Sequence, residues 1–245
     1  MNLVEAKNIW KIYGEDIILE NVNFSMKNGE FCALVGPSGC GKTTFLRMLL
    51  GVDSPSKGIL KFEGNDYPKE PSDERGIVFQ RYSTLSHLNV IDNVIIGLEF
   101  EKSKLFGKLF GAQKKEAYEK AHKILKAVGL DSSSQKFPHE LSGGMKQRLS
   151  IAQSLVKEPK LLLLDEPFGA LDPGISLDMH ELLLEIHEEL NFGVVMVTHD
   201  ISEAFKLGTR VLVFDKVKVD KDYPNRYGST IVNDVDSSKE RINEK

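Results

Sequence analysis

Cysteine is scarce in this chain of 245 residues: there are two, Cys32 and Cys40. They lie close in sequence with no His or Cys cluster to match them. That offers no metal-binding motif and fits two free thiols in a reducing compartment. Long apolar runs are missing too. A bilayer-crossing helix needs about 20 apolar residues, and runs such as Phe31 to Val35 and Leu161 to Leu164 are only strand-sized. The N-terminus, MNLVEAKNIWKIYGEDI, has no basic stretch leading into an apolar core, so no secretory signal is expected. Positive charge is not in excess. The formal net charge of -4 argues against a nucleic-acid partner, which calls for a basic field. No internal repeat and no sustained heptad pattern is present. The 41% apolar share excludes a globally disordered chain, and the length allows a substantial core.

What is present changes along the chain. The opening stretch alternates polar and apolar residues through Leu3, Val4, Ile9, Ile12, Ile17, Leu19, Val22 and Phe24, with a turn signal at Asn28-Gly29. This pattern predicts antiparallel strands. Phe31 to Val35 is a continuous apolar strand, and Thr43 to Leu50 a helix. Gly58 to Glu63 and Gly76 to Gln80 read as short strands. From about Val90 to Leu141 the period turns helical, with Ala117, Ala121, Ile124, Leu125 and Val128 on one face and Gly129 as the stop. Further helices are expected over Ser142 to Val156 and Ser176 to Leu190. Further strands are expected over Leu161 to Leu164, Val194 to Thr198 and Arg210 to Phe214. Short apolar strands alternating with helices predict an α/β fold around a mostly parallel sheet.

Gly36-Pro37-Ser38-Gly39-Cys40-Gly41-Lys42-Thr43, followed by Thr44, fits the phosphate-loop pattern G-x-x-x-x-G-K-[ST]. Its glycines let the backbone bring N–H groups to phosphates, and the helix that follows adds its positive end. Lys42 is expected to reach the β- and γ-phosphates and Thr43 to ligate Mg²⁺. The loop follows an apolar strand and precedes a helix, as the pattern requires. By itself it means a nucleotide and no more.

Leu161 to Leu164 ends in Asp165 and Glu166. The C-terminal end of such a strand is where open α/β sheets place ligands. Asp165 is then placed to hold Mg²⁺, often through water, and Glu166 to polarise an attacking water. An acidic strand end that merely turns the chain is the alternative. Leu141-Ser142-Gly143-Gly144-Met145-Lys146-Gln147-Arg148 opens a second helix on a glycine pair, and its exposed N–H groups with the Ser142 hydroxyl make a second anion site. One ATP needs only one phosphate loop, so a second such site makes sense if it closes on the ATP of another subunit.

With these motifs in order, the sequence is similar to the nucleotide-binding subunit of ABC transporters, from about Leu3 to Phe214. The likeness adds Gln80 in IVFQRY, the GALDP loop at Gly169 to Pro173, and His199 in MVTHD. It implies a P-loop NTPase of ABC type, with an N-terminal antiparallel β subdomain and a helical subdomain at about 88–155 inserted in the core. The domain would span 1–234, followed by a polar tail at 235–245. It also implies roles. Tyr13 would stack on adenine, and Gln80 would join the Mg²⁺ and water shell. Ser142, Gly143 and Gly144 would clamp the γ-phosphate across a dimer, and Asp172 would link the two sites. Glu166 would be the base, and His199 would hold the site closed. Bland readings compete for some of these residues. A tyrosine beside a strand is often core, and an isolated histidine is often structural.

The implied partners are a second ATP-binding subunit, transmembrane permease subunits and, indirectly, a solute-binding protein, at the cytoplasmic face of the membrane. FQRYSTLSHLNVIDNVIIGL, DEPFGALDPGISLDMHELL and VTHDISEAF resemble the importers of nitrate, sulfonate and taurine, with Tyr82 to Asn93 facing the permease. The ending LGTRVLVFDKVKVDKDYPNRYGSTIVNDV departs from many members and resembles a subgroup associated with urea-carboxylase-like or guanidine-type systems. An exporter or lipid-transport motor, and a soluble ABC ATPase, are the alternatives. Lys102 to Phe110, then Lys114 and Lys115, interleave basic and apolar residues, with Gly107 and Gly111 interrupting any helix, which suits either a membrane surface or a solvated loop.

Overall fold

The computed structural model describes residues 1–80, 82–102, 109–220 and 222–237. They form two compact units. The first comprises Met1–Ile77, Lys160–Glu166 and Asn191–Lys245. The second comprises Val78–Pro159 and Pro167–Leu190.

The first unit is built on strands. β1 (Asn2–Tyr13) and β2 (Asp16–Lys27) pair antiparallel, and β4 (Lys57–Phe62) adds antiparallel to β1, with β5 (Asn65–Asp66) at its edge. β3 (Phe31–Val35), β7 (Leu161–Asp165), β8 (Gly193–Val197) and β9 (Arg210–Lys216) run parallel to one another in the order β9-β3-β8-β7. β10 (Ser229–Asp236) lies between β9 and β2 and joins the antiparallel and parallel parts into one mixed sheet. β6 (Arg75–Val78) closes the far edge beside β7. The apolar run of β3 is buried at every residue, which is what a strand in the parallel middle of a sheet requires.

Helix α1 (Lys42–Leu50) leaves the end of β3 and packs on β7 and β8, and α6 (Ile201–Leu207) packs on β3 and β9. Phe45 of α1 meets Phe24 of β2 edge-on and Phe214 of β9, each at 5.6 Å between ring centroids. The two kinds of strand therefore share one core, in which Phe45 touches rings from both.

The second unit is helical: α2 (Val90–Lys102), α3 (Gly111–Ala127), α4 (Gly143–Leu155) and α5 (Pro173–Leu190). It is wider than the 88–155 span that helical period marks, for two physical reasons. α5 packs on α4, where a Cβ on Gly144 would come within 2.6 Å of Ile175. The chain before α2 is held by the buried Asn93, whose amide accepts from the Leu85 N–H at 2.7 Å and donates to the carbonyls of Leu85 and Leu88.

Three expectations need correction. The strand expected over Gly76 to Gln80 stops at Val78, leaving Gln80 beyond it. β10 carries Val235 and Asp236, paired with Val211 and Arg210, so the chain is still sheet where a polar tail was expected. Gly111, read as a helix breaker, is the first residue of α3. Of the basic and apolar segment, residues 103–108 lie outside the described residues; Leu109 is buried and Phe110 exposed. No described helix is long and apolar enough to cross a membrane.

Candidate functional site

The phosphate loop joins β3 to α1, and its shape depends on glycine. Gly36 has φ 150°, and a Cβ there would lie 2.2 Å from the Phe214 carbonyl oxygen. Gly41 has φ 86°, and a Cβ there would lie 2.7 Å from the Leu19 side chain. Both positions combine a left-handed backbone with no room for a side chain. Pro37, Ser38 and Gly39 are exposed, while Cys40 is buried beneath the loop. Lys42 is buried, and its Nζ donates to the carbonyls of Gly36 at 2.7 Å and Pro37 at 2.9 Å. The ammonium thus sits inside the curl of the loop, with N–H groups and the α1 N-terminus around the same concavity. That is an anion cradle.

At the next parallel strands the acids arrive. Thr43 Oγ1 donates to Asp165 Oδ1 at 3.2 Å. Burial pushes the Asp165 carboxyl up from its ordinary value, and the charge of Glu166 adds to this. The Thr43 hydroxyl and Lys42 pull the other way. Two oxygen donors side by side suit Mg²⁺, which binds through few protein oxygens and completes its shell with water and phosphates. Among the described residues there is no cluster of three or more His, Cys, Asp or Glu to hold a metal by protein alone.

Glu166 is held in an uncommon backbone state. Its φ is 47°, in the left-handed region, and its N–H donates to the Val197 carbonyl at 2.9 Å. Such strain persists only where the surroundings impose it, and it concentrates at functional sites. The turn aims the carboxylate at the end of β8, where His199 Nδ1 lies 3.6 Å from Glu166 Oε2. Asp200 accepts from the N–H groups of Ser202 and Glu203, so His199 is set just before a capped helix.

Tyr13, at the end of β1, keeps a ring 47% exposed, which leaves it open to a planar ligand. Its hydroxyl donates to Asp53, and the Lys11 ammonium lies over the ring, 4.7 Å from the centroid, while also bonding Asp53. Asp53 follows α1, so the tyrosine is tied to the helix that starts at the phosphate loop. Lys11 and Asp53 were missed from sequence, because nothing local marks a pair 42 residues apart.

The first unit therefore contains Tyr13, the residues from Gly36 to Thr44, Asp165, Glu166 and His199. The second unit contains Gln80, Ser142, Gly143, Gly144 and Asp172. There, Ser142 caps α4 by accepting from the Met145 N–H at 3.3 Å, and Ser142 and Gly143 are exposed. Gly144 is buried, and the contact with Ile175 alone demands a glycine. A Cβ on Gly143 would stand 3.4 Å from the Tyr82 hydroxyl, so the chain after Gln80 runs past the start of α4. Gln80 is exposed, and Asp172 is exposed just ahead of α5, its carbonyl accepting from Ser176.

The family model for ABC transporters matches residues 19–169. This chain belongs to the ABC transporter family. Among ABC relatives, a sulfate/thiosulfate import ATP-binding protein of Shewanella oneidensis is 39% identical over 220 residues, covering 89% of this chain and 61% of that protein. The protein of the same description from Pseudomonas aeruginosa is 40% identical over 215 residues, covering 87% of this chain and 64% of that one. The chain thus matches less than two thirds of the length of these relatives. A solved ABC cassette, a dimer in a post-hydrolysis state bound to ADP and Pi, superposes with a TM-score of 0.74 at 29% identity, covering 96% of this chain and 98% of that one. The ABC fold expected from the motifs is the fold observed.

Proposed function

We propose that this chain is the ATP-binding and ATP-hydrolysing subunit of an ABC importer, working on a separate membrane permease. The observation that carries the reading is the convergence, at the ends of parallel strands in one unit, of the Lys42 cradle, the Thr43–Asp165 oxygen pair and the strained Glu166 beside His199.

The phosphate loop binds the triphosphate of ATP. Lys42 turns from the carbonyls it now satisfies towards the β- and γ-phosphate oxygens, an exchange of neutral acceptors for charged ones that strengthens each bond. Thr43 and Asp165 would hold Mg²⁺, which when bound neutralises charge on the phosphates. Glu166 orients and deprotonates the attacking water, and His199 contacts the γ-phosphate and steadies the Glu166 carboxylate. Tyr13 stacks on the base.

Ser142, Gly143 and Gly144 act on the ATP of a second copy, and Asp172 links the two sites. The solved cassette dimer supports a paired working form. ATP closes the pair and product release opens it, a ligand-driven two-state switch.

Import is favoured over export because the relatives named above are import ATP-binding proteins. The likeness to nitrate, sulfonate and taurine importers and the sulfate/thiosulfate relatives share a cargo class, small oxyanions, and we take that class as the cargo. Tyr82 to Asn93, pinned by Asn93, is the surface for the permease. The working position is peripheral, on the cytoplasmic face of the membrane, with a solute-binding protein delivering cargo on the far side.

The test is ATP hydrolysis by the chain co-purified with its permease and solute-binding protein, with and without sulfate, thiosulfate, taurine or nitrate. Hydrolysis should rise with one of these. In Lys42→Ala, ATP affinity should fall at least about tenfold, the loss of one charge-assisted contact. Hydrolysis indifferent to every oxyanion would remove the cargo class, and unchanged ATP affinity in the variant would remove the role of Lys42.

A further inference from the structure

The end of β1 is held by groups that the phosphate chemistry does not use. Helix α1 ends at Gly51, whose φ of 88° turns the chain while its N–H donates to the Met48 carbonyl at 3.1 Å. A Cβ there would come within 2.9 Å of the Pro68 carbonyl oxygen, so this helix end requires glycine. The chain then runs beside β1. The Ser56 N–H donates to the Trp10 carbonyl at 2.7 Å, and Ser56 Oγ accepts from the Ile12 N–H at 3.0 Å. Asp53 lies between these two anchors, the glycine turn and Ser56.

Asp53 divides its carboxylate between two partners. Oδ1 accepts from the Lys11 ammonium and from the Ser54 N–H, the latter at 2.9 Å, and Oδ2 accepts from the Tyr13 hydroxyl. Lys11 Nζ also donates to the Ser54 carbonyl at 2.8 Å and lies 4.7 Å from the centroid of the Tyr13 ring. The side chains of Lys11 and Asp53 are only 10% and 16% exposed. A largely buried ion pair adds little to stability over an apolar pair of the same volume; its best-attested use is to specify one arrangement. What is arranged here is a ring. Its hydroxyl is tethered to Asp53, and one face is covered by the ammonium. The face left to a planar ligand is the opposite one, on a side chain that stays half exposed. A tyrosine free to rotate at a strand end would have to be ordered when the ligand arrives, and that ordering costs affinity. The Asp53 tether removes the cost in advance.

We propose that Asp53 is a positioning residue for the nucleotide: with Lys11 it presents the Tyr13 ring as a one-sided platform, preordered for the base and tied to the far end of the helix that begins at the phosphate loop. This rests on the reading that Tyr13 receives the base of ATP. It adds that the base enters on one face only, and that the quality of the stack is set by a carboxylate that touches no part of the ligand.

The test is calorimetric titration of the full chain with Mg-ATP and with inorganic tripolyphosphate, which has no base. In Tyr13→Ala, Mg-ATP affinity should fall about tenfold, the worth of one base stacked on an aromatic ring, and tripolyphosphate should bind as before. In Asp53→Ala, Mg-ATP should bind about three- to tenfold more weakly. Tripolyphosphate should again be unaffected, which also reports that α1 and the phosphate loop are folded. Asp53→Asn, which keeps one charge-free acceptor, should fall between this variant and the unmodified chain. The double variant Tyr13→Ala, Asp53→Ala should bind Mg-ATP no more weakly than Tyr13→Ala alone, because Asp53 acts only through the ring. Unchanged Mg-ATP affinity in Asp53→Ala, or losses that add in the double variant, overturn the proposal. Should Asp53→Ala lose both ligands, Asp53→Asn takes its place in the cycle, and equal loss of both ligands there assigns Asp53 to the fold and overturns the proposal too. Undiminished Mg-ATP affinity in Tyr13→Ala overturns the reading of Tyr13, and this proposal with it.

Discussion

Asp165 shows how one residue can be costly to the fold and useful to the site. Burial raises its pKa, so the ionised form that Mg²⁺ needs is the disfavoured one in the free protein. The sign follows by linkage. A group whose folded pKa is raised contributes stability that is full below its unfolded value, about 4, and is lost as pH rises through the folded value. At neutral pH the charge therefore works against the nucleotide-free fold. Asp165→Asn should melt no lower than the unmodified chain at pH 7, with any gain shrinking towards pH 4. It should lose the extra stabilisation that Mg²⁺ adds to ATP. Melting curves over this pH range, with and without Mg-ATP, check both points; a large loss of stability at pH 7 would contradict the first. The place of Asp165 and Glu166 at the end of a buried strand was legible, because four leucines ahead of two acids mark where such a strand stops. The left-handed turn at Glu166 was not, since it is imposed by the bond from its N–H to Val197 on a strand about 30 residues away.

At the scale of elements, apolar runs and glycine turns made β3, β7, β8, α1 and α4 readable. α6 and β10 were not. α6 has seven residues, too few for helical period to stand out, and is fixed instead by the Asp200 cap. β10 mixes Asn and Asp among its apolar residues, and pairs along most of its length with β9, whose register no local pattern reveals. α1 connects the elements. Phe45 is fully buried and touches rings from both sheet parts, so Phe45→Ala should cost roughly 3–5 kcal/mol. Because α1 carries Lys42 and Thr43 at its start, the variant should also weaken nucleotide binding. Urea unfolding with and without ATP measures both, and a cost under about 1 kcal/mol would mean the shared core is not what joins the strands.

At the scale of the whole molecule, the residues expected from sequence divide between two units. The phosphate loop, the acids and His199 belong to one, and the Ser142 to Gly144 helix start and Asp172 to the other. A chain that carries two anion sites for one nucleotide is explained by two copies exchanging them, and that exchange is the centre of the proposed function. It is tested most directly by the solution mass of the Glu166→Gln variant, which should still bind Mg-ATP but turn it over at least about 100-fold more slowly, the usual contribution of a general base. Measured by light scattering, the variant should be a monomer without nucleotide and a dimer with Mg-ATP, and adding Ser142→Arg should return it to a monomer. A variant that stays monomeric at saturating Mg-ATP, or that hydrolyses ATP at the rate of the unmodified chain, would contradict the account.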